Sequence, residues 1–361
     1  MAGQVGGVFR ERISTFLQAR HDEAALDPAR HGDVLNMLRL QYVTDPREQD
    51  RLPDQRRRHY EAGVGIVFDG RTLRGVERIY KRTLLVLPTL VCAAHCRWCL
   101  RGQYAIETMT AEDIDLAARY CGEAPEAAGV DEVLVSGGDP FMDIARLERV
   151  FEAFGRLAPR VKVLRLATRV PLQDPARVDE RLLTLLRAHP GAEIALHVNH
   201  ASELFPDVRE AIARLTGTGV RLYNQAVLLR HLNDEVPVLE ELFDALRDLR
   251  IETHYIFHCV PIYGMAHHRT SLDRSLDLVR RVTSGGRISG RAKPLLTLLT
   301  DVGKVTPYDG TILERRGHRV LLQTGYSYAE RRAFNPSWTL PESAEVGDDG
   351  LLRVWYADAV E

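Results

Sequence analysis

From Thr83 onward, short apolar runs rich in β-branched residues alternate with segments of helical spacing, which narrows the possible folds sharply. Strands are expected near 83–88, 132–136, 163–168, 193–197, 221–227 and 253–258, with helices near 112–121, 143–154, 179–187, 207–216, 238–249 and 272–282. In 143–154, Asp143 can cap the first turn, while Ile144, Leu147, Phe151 and Phe154 share one apolar face. Strand–helix units in series imply an α/β fold with a parallel sheet, because parallel neighbours need crossover helices. Periodicity does not decide between a doubly wound sheet and a full or partial barrel. In each case chemistry gathers at the C-terminal ends of the strands. The polar residues there are the run Ser136-Gly137-Gly138-Asp139-Pro140, Thr168-Arg169, His197, Asn224-Gln225 and His258-Cys259.

The flanks differ from this core. Residues 1–80 are charged and partly helical and read as an N-terminal helical extension, with 45–58 as a polar connector. The arginine run at 56–58 suits a solvated face. Residues 81–304 form the core, and 305–361 lose the alternation, concentrate aromatic side chains and read as an irregular C-terminal tail packed over the core or a partner subunit. A net charge of −2 gives no global attraction to nucleic acid or an anionic membrane. No apolar run approaches the ~18 residues of a spanning helix. The N-terminus lacks the basic and apolar regions of a secretory signal, so a cytoplasmic protein is expected.

There are five cysteines, three of them within Cys92-Ala-Ala-His-Cys96-Arg-Trp-Cys99. An odd count clustered this tightly does not resemble a secreted disulfide framework. Cys121 falls in a helical pattern and reads as a small core residue. Thiolates are the usual anchors of [4Fe–4S] clusters, normally four of them. Three on one loop can each hold an iron and leave the fourth open to a chelating ligand. A zinc site completed by His95 is the competing arrangement, although the paired CxxC knuckles common to zinc sites are lacking.

This CxxxCxxC spacing resembles the radical S-adenosylmethionine (SAM) superfamily. The blocks CRWCLRGQ, LVSGGDPF, LRLATRVPLQDPARV, ALHVNHASEL and LYNQAVLLRHLND are similar, in the same order, to the lysine 2,3-aminomutase family over roughly residues 80–305. The resemblance implies a partial (β/α)6-type radical SAM barrel and a [4Fe–4S] cluster on Cys92, Cys96 and Cys99. SAM would chelate the open iron and yield a 5′-deoxyadenosyl radical on reduction by an electron donor. Trp98, Ser136, Gly137, Gly138, Asp139, Thr168, Arg169, His197 and Gln225 would cradle SAM. The two glycines would let the backbone approach the ligand, with nearby amides engaging its amino acid portion. Arg101 would meet a substrate carboxylate. Lys304 would hold pyridoxal phosphate (PLP), allowing an amino group to migrate between adjacent carbons of a small amino acid. Relatives are homo-oligomers, which makes the aromatic tail a candidate interface.

The sequence departs from the family in places. Nine positions ahead of the first cysteine, where the family carries a phosphate-binding arginine, stands Thr83. Arg82 lies one step earlier, which on a strand is the opposite face. Val260 replaces the aspartate of lysine-specific members, and a valine cannot pair with a terminal ammonium. Lysine is therefore disfavoured as substrate, with Asp301 the remaining acidic contact. The cysteine-rich zinc segment of the clostridial type is absent, so no structural zinc is expected. Two rival readings follow. One is a PLP-independent radical SAM epimerase, dehydrogenase or other modifier of an amino-acid-like or sugar-like substrate. The other is a non-enzymatic iron–sulfur redox sensor. Loss of the cluster is expected to disorder the loop 92–104.

Overall fold

The computed structural model describes residues 10–50, 65–102 and 107–359; the 56–58 arginine run and Tyr104 lie outside them. Two packed helices open the described chain, α1 (Thr15–Ala25) and α2 (Pro28–Tyr42). Ser14 Oγ accepts from the Leu17 amide at 3.1 Å, and Asp27 caps α2 ahead of Pro28 at its first turn. A short hairpin, β1 (Val67–Phe68) and β2 (Arg71–Thr72), leads to β3 (Val76–Glu77), which pairs antiparallel with β4 (Thr83–Thr89).

The expected alternation then runs its course. In order come α3 (Ala111–Glu123), β5 (Glu132–Gly137), α4 (Ile144–Leu157), β6 (Val163–Thr168), α5 (Val170–Gln173), α6 (Glu180–Ala188) and β7 (Glu193–Leu196). They are followed by α7 (Pro206–Thr216), β8 (Arg221–Leu228), α8 (Val236–Asp248), β9 (Glu252–His258), α9 (Leu272–Ser284), β10 (Leu295–Thr300) and β11 (Gly303–Val305). The strands line up β3 to β11 in one nine-stranded sheet. Neighbours from β4 to β10 are parallel, while β3 and β11 form antiparallel edges. The two edges do not pair with each other, so the curled sheet is a partial barrel. One parallel strand, β10, was not among those expected, although Gly285, Gly286, Gly290 and Pro294 punctuate the segment before its apolar run.

Strand alternation explains how the sheet serves two environments at once. In β5, Val133 and Val135 are fully buried against the helix layer with Leu147, Val150 and Phe154 of α4. The intervening Leu134 and Ser136 line a central cavity. Asp143 caps α4 by accepting from the Arg146 amide at 3.0 Å, as its sequence indicated. Cys121 is a buried core residue, also as expected. Among the described residues, no helix is long and apolar enough to cross a membrane.

The C-terminal extension is regular where an irregular tail was expected. β12 (Ile312–Arg316), β13 (Arg319–Ser327), β14 (Ala344–Val346) and β15 (Leu351–Ala357) form an antiparallel sheet in the order β12-β13-β15-β14, with α10 (Tyr328–Phe334) between β13 and β14. Val320, Leu322, Leu352, Val354 and Tyr356 turn inward onto Leu298, Val302 and Trp338. The period-2 pattern was present, but it is short and its outward positions are crowded with charge. This sheet is tied to the barrel. Arg269 donates to the Ala357 carbonyl at 2.7 Å, His258 Nδ1 meets the Tyr356 hydroxyl at 2.8 Å, and the Leu272 amide donates to Asp358 at 2.8 Å.

Candidate active site

At the C-terminal ends of the parallel strands lies a cavity of about 410 Å³. Cys92, Cys96, Cys99, Trp98 and Arg101 enter it from the loop after β4, and Ser136, Gly137, Gly138 and Asp139 from the end of β5. Thr168, Arg169, His197, Gln225 and Lys304 complete the wall from β6 through β11. Thus residues up to 212 positions apart in sequence, chosen from the strand ends and the resemblance, converge on one space.

The cysteine loop is held from outside by the N-terminal extension. The His95 amide donates to the Arg12 carbonyl and the Arg97 amide to the Gln41 carbonyl, each at 2.8 Å. The Arg97 guanidinium forms a fully buried ion pair with Glu48, with Nε at 2.7 Å from Oε1. His95 turns Nδ1 to the Arg10 carbonyl at 2.6 Å, a further tie between this loop and the N-terminal segment. Removing one member of a buried ion pair strands the other. Glu48→Ala is therefore expected to cost about 3–5 kcal/mol, read from the urea midpoint at unchanged m-value.

Burial pushes the Cys96 thiol up to about 12 and raises Cys92 and Cys99 as well. Such thiols keep their protons until a strong positive charge sits beside them, which is what iron supplies. Three cysteines of one loop lining one cavity are the donor chemistry that a three-thiolate cluster uses. Gln173 Nε2 lies 3.3 Å from Cys96 Sγ, a hydrogen bond of the kind that tunes a cluster's potential.

The glycine pair has a different first task from the one expected. A Cβ on Gly137 would stand 2.4 Å from the Thr89 carbonyl oxygen, and one on Gly138 would stand 2.4 Å from Leu90 backbone. Gly137 also has φ +109°, a region that favours glycine. The Gly138 and Asp139 amides donate to the Thr89 and Val91 carbonyls at 2.8 and 2.9 Å. The turn is therefore stitched to the cysteine loop, and these amides are not left for a ligand. Asp139 is likewise internal. Its carboxylate accepts from the amides of Arg169, Phe141 and Val170 at 2.6, 3.0 and 3.0 Å and from the Thr168 hydroxyl at 2.7 Å. Burial nonetheless lifts its pKa to about 6.

Arg169 is buried, pairs with Glu203 through Nη2, and stands over the Trp98 ring with Cζ 4.9 Å from the centroid. Its Nε and Nη1 are buried without a hydrogen-bond partner, an arrangement suited to an anionic group of a bound ligand. His197 is held neutral, with its pKa lowered to about 3 by burial and by the charges of Arg169 and Lys304. Arg101 pairs with Glu77 at 2.7 Å at the cavity wall.

Lys304 sits on β11, its Nζ 4.9 Å from the Tyr255 ring centroid and 5.3 Å from that of Phe257. Burial and then Arg165 lower its pKa to about 8. Gly303 allows the approach: at φ +125°, a Cβ there would lie 2.9 Å from the Tyr326 ring. The Tyr326 hydroxyl donates to the Lys304 carbonyl at 2.8 Å, and the Lys304 amide donates to the Tyr80 hydroxyl at 3.2 Å.

Two expectations need correction or completion. Asp301 is not a contact for the central cavity; it accepts from Ser343 at 2.6 Å and lines a separate cavity of about 260 Å³. Val260 does line the central one. Arg82 is exposed and paired with Asp131, so it does not turn inward to replace the missing arginine. Sequence reasoning also missed Gln41, Tyr42, Glu48, Gln173 and Glu203. Gln173 and Glu203 lay inside blocks already singled out. The other three carry no local signal, because their meaning depends on where the N-terminal helices dock.

A sequence model described as the Radical SAM superfamily matches residues 86–242. An L-lysine 2,3-aminomutase of Fusobacterium nucleatum is 30% identical over 278 residues, 73% of this chain and 64% of that enzyme. An Aquifex aeolicus relative in the same family is 32% identical over 286 residues, 78% of this chain and 72% of its own length. An L-lysine 2,3-aminomutase of Escherichia coli is 34% identical over 230 residues, 62% of this chain and 64% of that enzyme. The chain spans slightly less than two thirds of the Fusobacterium and Escherichia enzymes. Among solved structures, a radical SAM methyltransferase from Sphaerobacter thermophilus aligns with a TM-score of 0.48 and 18% identity, over 63% of this chain and 69% of that one. By its similarity to these relatives, the chain belongs to the radical SAM superfamily and, within it, to the lysine 2,3-aminomutase-like family.

Proposed function

We propose that this chain is a radical SAM isomerase of the 2,3-aminomutase type, converting a small α-amino acid to a β-amino acid, with Lys304 as the amine that holds PLP. One observation carries this reading: a half-buried lysine, its pKa lowered to about 8, shares a cavity with Cys92, Cys96 and Cys99. A purely redox cluster has no use for such an amine.

When bound, the cluster and SAM supply a radical able to take a hydrogen atom, and PLP lets an amino group migrate between adjacent carbons. The chain's own residues do the positioning. Cys92, Cys96 and Cys99 hold iron, and Arg169 presents its free donors to a carboxylate beside Trp98. Neutral His197 and Gln225 offer polar contacts without adding charge. Ile79, Leu85, Leu134 and Leu299 line the cavity with apolar surface that excludes water from a reactive centre. Arg101, held by Glu77, stands ready to meet the substrate carboxylate. A distal cation on the substrate would face Val260, while Asp301 points elsewhere, which favours substrates other than lysine.

The test is anaerobic incubation of reconstituted protein with dithionite, SAM, PLP and a panel of α-amino acids, read by mass spectrometry. The expected result is 5′-deoxyadenosine together with an isomer of unchanged mass. Cofactor cleavage with every amino acid recovered unrearranged would overturn the aminomutase reading.

Thr83 favours a second reading. It occupies the phosphate-arginine slot, and Arg82 points outward to Asp131. The described residues thus supply the amine but not that guanidinium. A PLP-independent radical SAM enzyme acting on an amino-acid-like or sugar-like substrate would bind no PLP, yet would form 5′-deoxyadenosine in response to its substrate.

A further inference from the structure

The N-terminal extension does more than brace the cysteine loop. Gln41 is fully buried at the end of α2, and its Oε1 lies within reach of three donors. Trp98 Nε1 is at 3.2 Å, Arg169 Nη2 at 3.3 Å and Asn199 Nδ2 at 2.9 Å. Three converging donors fix the amide's orientation, since its NH₂ face could accept from none of them. The next residue adds a fourth bond, with the Tyr42 hydroxyl 2.7 Å from Arg169 Nη2. Glu203 already neutralises that guanidinium, so the Gln41 and Tyr42 oxygens add direction rather than charge. The side-chain bonds of Arg169 to Gln41, Tyr42 and Glu203 all run through Nη2, whereas Nε and Nη1 stay buried and unpartnered.

We infer that Gln41 and Tyr42 are positioning residues of the cofactor site: they hold the Arg169 guanidinium over the Trp98 indole by one nitrogen, leaving the other two for the carboxylate of a sulfonium amino acid. The helix supplying them precedes the first cysteine by about fifty residues and lies outside the matched superfamily segment. The inference rests on the cavity being the SAM site; it does not depend on PLP or on which amino acid is rearranged.

The test measures SAM affinity, not turnover, by titrating SAM into the reduced, cluster-loaded protein and following the cluster's EPR signal. Tyr42→Phe removes a single oxygen and is expected to weaken SAM binding about tenfold at unchanged iron content, with a loss of no more than several degrees in melting temperature. Gln41→Leu, which removes the shared acceptor, is expected to weaken it at least as much. Gln41→Glu keeps acceptor oxygens in place but buries a second carboxylate beside Glu203, and is expected to weaken SAM binding too, by opposing the ligand's carboxylate. A merely structural role would lower the melting temperature and leave affinity in the folded fraction untouched. Parent-like affinity in Tyr42→Phe at full iron content would overturn the inference, even if Gln41→Leu proved too unstable to load. A parent protein that bound its cluster but not SAM would overturn the reading of the cavity itself. Normal SAM binding without rearrangement of any amino acid would sink only the aminomutase reading.

Discussion

Replacing Cys96 by alanine is expected to reduce iron from roughly four atoms per chain to near zero and to abolish 5′-deoxyadenosine formation. Cys96 is the most enclosed of the three loop cysteines and the one whose sulfur meets Gln173. With two thiolates left on the loop, a second iron loses its protein anchor. The cluster is then held too weakly to survive reduction. The fold should nevertheless persist. The loop around Cys96 is tied by backbone bonds to Arg12 and Gln41 and by the Arg97–Glu48 pair, none of which involves sulfur. These ties anchor residues 95 and 97, so any disorder that follows cluster loss is expected elsewhere in the loop. Iron analysis, EPR of the reduced protein and circular dichroism check the outcome together. Full iron retention in Cys96→Ala would show that the thiolates are not the anchors.

The second large effect concerns Lys304. Lys304→Met is expected to remove PLP-dependent visible absorbance and to cut isomer formation by on the order of a thousandfold, while SAM cleavage continues within a few-fold. The separation arises because Lys304 is on β11 with its Nζ beside the Tyr255 and Phe257 rings, whereas the cysteines are on the loop after β4. The parent amine should also be identifiable by pH. With its pKa lowered to about 8, it is half neutral near that pH, whereas an exposed lysine reaches this point only near pH ~10.4. Borohydride trapping of pyridoxal at Lys304 should therefore rise about tenfold per pH unit from pH 6 and level off above 8. A rise continuing to pH 10 would place the amine in water instead.

The same shift has a thermodynamic sign. Between the unfolded pKa and about 8, the unfolded chain holds the extra proton, so stability falls as pH falls through that window. The penalty is complete below about 8 and vanishes above the unfolded value. Without PLP, Lys304→Met should therefore stabilise the protein at pH 7, by up to about 3 kcal/mol, and have little effect near pH 11.

Much of the barrel could be read directly, because each strand–helix unit states its own period and the polar blocks fall at strand ends. The residues gathered around the cavity are legible for the same reason: Thr168-Arg169 and His197 end or follow a recognisable apolar run, and Gln225 interrupts one. What could not be read was anything depending on docking between distant segments. Gln41 is an ordinary polar residue in a helix of weak amphipathic pattern, and only the placement of α2 puts it against Trp98 and Arg169. The SGGDP turn illustrates a subtler limit. Its glycines do signal close approach, but the approaching group is the backbone of residues 89–91. A sequence does not name the neighbour. The C-terminal sheet escaped because its inward positions are few and its strands are punctuated by charge.

In the C-terminal sheet, β15 is an interior strand, flanked by β13 and β14, and its last residues bond to Arg269 and His258 of the barrel. During synthesis, the strand that completes this sheet therefore emerges after β12, β13 and β14. Until then the inner faces of β13 and Trp338 lack their cover, so a chain stalled or truncated before residue 351 would be recognised by chaperones and degraded. The helices α1 and α2, made before the barrel, must likewise wait for the strands up to β11 that form the cavity they help to order.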